Sequence, residues 1–227
     1  MRELLEAKGV RTFGDLILPE LADEPRYRYR VQVVAADITR GRLLLLPEDA
    51  RIYGIEPNDL EVALAVRMSV GIPFFFQPVR LRNPGGETSY IVDGGLMSDF
   101  PLGLFDAPGE PEWPTFGFRL VRTRVPPVVR HRVNGPVSLL LAVYGTAISA
   151  QEARYIETHD TARTIMIDAL DVGGIQFDVS RAHKEALFES GVAAAEAFLA
   201  GWDFERYKTL FRSNDSKPEQ PASSPRG

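Results

Sequence analysis

Apolar residues are distributed along this chain in two textures. Short unbroken runs closed by an acid, a glycine or a proline alternate with longer stretches at helical spacing, which predicts strands and helices in succession. Leu4 and Leu5 sit on a short helix over 2–8 that Gly9 can close. Val31 to Ala36, VQVVAA, reads as a buried strand ending on Asp37, and Leu43 to Leu46 follows after Thr39-Arg40-Gly41, so the two can form a hairpin ended by Pro47. Asn58 followed by Glu61 three residues on predicts a capped helix running to about Ser69, which Ile72 and Pro73 break. Phe74 to Leu81 predicts a strand whose three consecutive phenylalanines would be covered on both faces. Asn83-Pro84-Gly85-Gly86 turns the chain, and Ser89 to Val92 returns as a strand. Further strands are expected at Phe116 to Val121 and Thr164 to Asp168. Helices are expected over 137–150, extending to about Tyr155, and from Ser180 to Ala200 with Gly201 at the end. Strands alternating with helices, the strands nearly all apolar, give an α/β class with a mainly parallel sheet flanked by helices.

Composition narrows this in a few places. At 227 residues and 44% hydrophobic, the chain can bury one sizeable core, which fits one domain or at most two. A formal net charge of −5, with no long basic run, argues against a nucleic-acid partner. No cysteine is present, which excludes a cysteine nucleophile and thiolate metal sites. His131, His159 and His183 lack metal-ligand spacing and read as surface or packing residues, so no metal and no cofactor is expected. The N-terminal MRELLEAKGVRTFGDL lacks the pattern of a secretory signal. Val137 to Ala150 is interrupted by Ser138, Tyr144 and Gly145 and falls short of the roughly 20 residues that span a bilayer. A cytoplasmic location is expected, with peripheral membrane attachment as an extension of it. Beyond Arg212, SNDSKPEQPASSPRG has too few apolar residues to offset its ordering entropy, so 213–227 is expected to be disordered.

The candidate chemistry lies in YIVDGGLMSDFPLGLFD, residues 90–106, where a strand stops on Asp93 and is followed by Gly94 and Gly95. Asp-Gly-Gly is a common turn, and by itself the turn reading is the stronger. Position favours function, because reactive groups in open parallel sheets sit just beyond the carboxyl ends of strands. AVRMSVGIPFFFQPVRL, YIVDGGLMSDFPLGLFD and TFGFRL together resemble the second half of the catalytic domain of patatin-like phospholipases, which are serine lipid acyl hydrolases. GVRTFGDL, VVAADITRGR, DTARTIMID, FDVS and FLAGWDF extend the resemblance across residues 1 to about 212. It implies a partial patatin-like domain over 1–212. It also implies that Asp93 is the base of a Ser-Asp dyad, with Gly94 and Gly95 as its supporting turn.

In that family the serine stands in a Gly-x-Ser-x-Gly elbow, and a Gly-rich loop stabilises the oxyanion. No serine of this chain fits the elbow. Ser69 comes nearest, with Gly71 two residues on, but Arg67 stands where the other glycine belongs, and a helix-end packing role is the stronger reading. The fold is therefore expected to lack the oxyanion-loop and nucleophile-elbow segments, which in the family precede this region. Asp99 stands where the family commonly has asparagine. A second carboxylate close to Asp93 would raise one pKa, and one exposed on a loop would not; the loop reading is preferred. Between Trp113 and Gln151 lie five arginines and no acid: Arg119, Arg122, Arg124, Arg130 and Arg132. A solvated loop explains them better than docking on anionic lipid.

The resemblance implies a truncated lipid acyl hydrolase, inactive alone, whose complete domain takes a lipid or ester substrate. The alternative is a non-catalytic remnant that binds lipid, a membrane surface or a partner protein. Self-association through an unpaired sheet edge belongs to the same expectation.

Overall fold

The computed structural model describes residues 1–98, 100–107, 109–121, 133–152, 158–170, 172, 176 and 178–212. The chain forms two compact units, the first from 1–101 with 130–154 and the second from 102–129 with 155–227.

In the first unit, α1 (Arg2–Glu6) leads through 3-10 turns to β1 (Val33–Asp37) and β2 (Arg42–Leu46). Then come α2 (Val62–Ser69), β3 (Val79–Arg82) and β4 (Thr88–Asp93). The strands lie side by side in the order β2-β1-β4-β3, and every neighbouring pair is antiparallel. This corrects the expectation of a mainly parallel sheet. Both hairpin connections are too short for the crossover a parallel pair requires. The first is tied by the Asp37 carboxylate, which accepts the N–H groups of Thr39 and Arg40 at 2.9 and 3.1 Å. The second is tied by Asn83, whose side-chain oxygen accepts the Glu87 N–H at 2.8 Å.

The unbroken apolar runs arise because β1 and β4 are the two central strands. Ala35 and Ile91 join the main core with Phe13, Leu44 and Met68. Ala36 and Val92, paired across the strands and pointing to the opposite face, are also fully buried. α2 packs on β1 and β4. Asp37 itself is fully buried and accepts the Tyr53 hydroxyl at 2.7 Å.

Two local expectations fail here for tertiary reasons. Asn58 is not a helix cap; it lies in the 3-10 turn Pro57–Asp59, where its side-chain oxygen accepts the Tyr29 hydroxyl at 2.6 Å. Residues 60–62 are held extended against 11–13, with Phe13 N–H bonded to the Leu60 carbonyl and Val62 N–H to the Arg11 carbonyl, both at 3.0 Å. The helix therefore starts at Val62. Phe74 to Phe76 are not strand residues either. The N–H groups of Phe75 and Phe76 bond back to the Ile72 carbonyl, Phe74 adopts φ 70°, and the three rings are about half exposed (55, 48 and 47%). The expected burial of this aromatic row is overturned, because a turn after Pro73 aims it outward. α3 (Pro136–Glu152) completes this unit.

In the second unit, β5 (Gly117–Val121) and β6 (Thr164–Asp168) form a parallel pair, with Phe118 opposite Ile165 and Leu120 opposite Ile167. α4 (Thr158–Thr161) precedes β6, and α5 (Arg181–Gly201) packs on it. α5 is capped by Ser180, whose hydroxyl accepts the His183 N–H at 3.3 Å. α6 (Phe204–Phe211) has no counterpart in the sequence analysis. It is started by Asp203, whose carboxylate accepts the Arg206 N–H at 2.6 Å. Its ring Tyr207 packs with Trp202, which stacks with Phe198 and meets Phe116 at 4.7 Å between centroids. Arg163, almost fully buried, bridges Asp106 and Asp160, with Nη2 donating at 2.7 and 2.6 Å. The tail 213–227 lies outside the described residues.

Candidate active site

β4 delivers Asp93 to the end of the sheet, opposite Ala35 of β1. The Asp93 N–H donates to the carbonyl of Gly71 at 3.1 Å, which joins the strand end to the chain leaving α2. The backbone then enters a 3-10 turn, Gly94–Leu96, and one carboxylate oxygen of Asp93 caps it by accepting the Gly95 N–H at 2.8 Å. Among the described residues this is the only hydrogen bond to the carboxylate.

Each glycine has a separate steric reason. A Cβ on Gly94 would lie 2.8 Å from both the carbonyl carbon and oxygen of Val34, a contact that backbone atoms cannot relieve. A Cβ on Gly95 would lie 3.1 Å from the capping oxygen of Asp93. The turn reading and the functional reading are therefore compatible: one oxygen shapes the turn, and the other bonds to no described residue.

Asp93 is partly buried, and that burial pushes its pKa above the usual 3.8, against the smaller lowering effect of the Gly95 N–H. A carboxylate so shifted is a stronger proton acceptor than an exposed one. α3 packs against the Gly94–Leu96 turn. It places Tyr144 where burial, and then the negative charge of Asp93, raise the phenol pKa. The Tyr144 ring meets Phe74 edge to face at 5.9 Å. Tyr144 and Phe74 are the surroundings that the sequence analysis missed. Tyr144 carries a faint signal, as the one aromatic residue of α3, whereas the left-handed backbone of Phe74 has no local sequence mark.

Of the remaining candidates, Ser69, His183 and Arg119 have described side chains. Ser69 ends a helix rather than following a strand. Gly71 serves the close exit from that helix, since a Cβ there would lie 3.2 Å from the carbonyl oxygens of Arg67 and Met68. His183 is exposed, with its Nδ1 2.7 Å from the Ser180 hydroxyl. Asp99, His131, Arg122, Arg124, Arg130 and Arg132 lie outside the described residues, as does the side chain of His159; Arg119 stands on β5, in the second unit. Among the described residues no three His, Asp or Glu side chains form a cluster suited to a metal ion. No described helix is long and apolar enough to cross a membrane.

The first unit thus ends a strand on Asp-Gly-Gly, with the acid partly buried. Residues 1–106 match the family model of patatin-like phospholipases. The chain is also 35% identical over 203 residues to the "Uncharacterized protein YqhO" of Bacillus subtilis (strain 168), a match covering 89% of this chain and 65% of that protein. The chain thus spans less than two thirds of that relative.

Proposed function

We propose that this chain is the aspartate-bearing part of a patatin-like lipid acyl hydrolase, with Asp93 as the general base of a Ser-Asp dyad. The observation that carries this reading is the strand-end carboxylate held by Gly95, partly buried, with one oxygen bonded to none of the described residues. A serine hydroxyl is too weakly acidic to attack an ester unaided, and a hydrogen-bonded acceptor that takes its proton during attack makes it competent. The raised proton affinity of Asp93 suits that role. A tetrahedral intermediate also requires a set of oxyanion donors. Neither a Gly-x-Ser-x-Gly elbow nor a Gly-rich oxyanion loop occurs in these 227 residues, so the nucleophile comes from outside them. The substrate would be an acyl ester, and the 227-residue chain by itself is inactive.

The test is hydrolysis of a short p-nitrophenyl ester by the purified chain and its Asp93→Asn variant. Background rates for both are expected. A robust rate lost on substituting Asp93 would show that a nucleophile lies within these residues and would overturn the inactive-alone reading.

A further inference from the structure

Three observations fall on one surface of the first unit. α3 has no charged residue from Pro136 to Gln151, yet Leu139, Leu140 and Val143 are each more than half exposed. These three lie within about 100° of one another around the helix. Next to them, Phe74 packs on Tyr144 of α3, while Phe76, two residues on, lines a groove of about 560 Å³ along α2 with Leu64, Val66 and Val70. The surface also adjoins the acid. α3 packs on the Gly94–Leu96 turn, and Val70 immediately precedes Gly71, whose carbonyl holds the Asp93 N–H.

The character of α3 selects what covers it. A helix that rests on a bilayer has a charged face opposite its apolar one, whereas a helix apolar on all sides is enclosed by protein. α3 carries no charge before Glu152, its polar positions being Ser138, Tyr144, Thr146, Ser149 and Gln151, so it lacks the charged face of a helix that rests on a bilayer. Chain to enclose it is present in the Bacillus subtilis relative, 65% of which is matched here while the rest lies outside the match.

We propose that Leu139, Leu140 and Val143, together with Phe74 and Phe76, form the seat of a polypeptide segment outside residues 1–227 that carries the nucleophilic serine to Asp93. This rests on the function proposed above and adds where and through what chemistry the missing partner docks. The occupant presents an apolar face to α3 and to the α2 groove, and its serine approaches on the side of the Asp93 oxygen that does not hold the Gly95 N–H.

The chain has no cysteine, so single thiols report directly on this surface. Leu140→Cys and Phe76→Cys would be made, with Phe188→Cys in the second unit as a control. Each would be made both in the 227-residue chain and in a chimera in which this chain replaces the matched region of the relative. Maleimide labelling is expected to be fast at all three sites in the lone chain. In the chimera, labelling should slow at least about 10-fold at 140 and 76 and stay fast at 188. Equal labelling in a folded chimera overturns the proposal. So does protection of the lone chain that rises with its own concentration or appears only with phosphatidylglycerol vesicles.

Should the chimera not fold, the unmatched part of the relative would be co-expressed with the tagged chain. Co-purification that is lost on Leu140→Arg with Val143→Arg supports the proposal, and its absence or its survival of those charges overturns it. Asp93→Asn in the chimera separates the two claims. Protection without ester hydrolysis keeps the docking surface and removes the proposed function, while Asp93-dependent hydrolysis without protection does the reverse.

Discussion

Gly94 and Val34 approach so closely that a methyl group on the glycine would stand 2.8 Å from the valine carbonyl oxygen. The contact is backbone to would-be side chain across the β1–β4 seam, where neither strand can retreat without breaking ladder bonds. Gly94→Ala is therefore expected to destabilise the first unit by about 3 kcal/mol, in the upper part of the range for overpacking. Gly95→Ala presses only on the Asp93 carboxylate and should cost under about 1 kcal/mol. Urea unfolding of both variants measures the difference, and equal costs would contradict the steric assignment.

Asp93 should make folding depend on pH in a defined direction. Its folded pKa is raised above 3.8 by burial, so the folded state holds the proton more firmly than the unfolded chain does. The stability this contributes is complete below the unfolded pKa and is lost as pH rises through the folded one. At neutral pH the charged form carries a desolvation cost, so Asp93→Asn, which keeps an acceptor for Gly95, should melt at the same or a higher temperature. That advantage should shrink on acidification to about pH 4. Melting curves that diverged with the opposite slope would refute the assignment.

Tyr144 offers an independent readout of the same acid. Part of the upward shift of its phenol comes from the Asp93 charge, so Asp93→Asn should lower the Tyr144 pKa while leaving the part caused by burial. Ring-carbon NMR titration of the two proteins would resolve it. An unchanged midpoint would place α3 away from the acid.

Asp37 carries the neighbouring hairpin. It is fully buried and accepts Tyr53, Thr39 and Arg40. Tyr53→Phe should cost about 1.5–3 kcal/mol, the usual worth of a hydrogen bond to a charged group. Asp37→Ala should cost more, because it strands three donors, and Asp37→Asn should fall between. Chemical denaturation ranks the three.

In the second unit, Arg163 joins Asp106 and Asp160 while itself almost fully buried. Arg163→Ala removes the buried guanidinium from this network, in which Asp106 also meets Arg212 at 3.5 Å, and should destabilise this unit by about 3 kcal/mol. Hydrogen exchange should accelerate in β6 and α6 and change little in β1 and β4. Uniform acceleration would show that the two units unfold together.

Much of the local structure was legible because its signals are local. VVAAD, LLLL and TIMID became strands where their apolar runs lie, and Ser180 started α5 as a serine cap should. Asn58 misled because residues 60–62 are held extended against 11–13, which outweighs a weak capping preference. Phe74 to Phe76 misled because three consecutive rings look equally like a buried strand and an outward turn, and only the Ile72 carbonyl decides between them. α6 was missed although Asp203 and the spacing of Phe204, Tyr207 and Phe211 mark it, because eight residues depend on packing against Trp202 to stay helical.

By itself, the sequence determined that a strand ends on Asp93, that two glycines follow it, and that no serine of this chain stands in an elbow. These are properties of neighbours along the chain. Only the tertiary structure decided that the sheet carrying Asp93 is antiparallel, that Gly94 is required by Val34, and that Tyr144 senses the acid. Those depend on residues far apart in sequence brought within a few ångströms, where excluded volume and unscreened charge act and periodicity is silent.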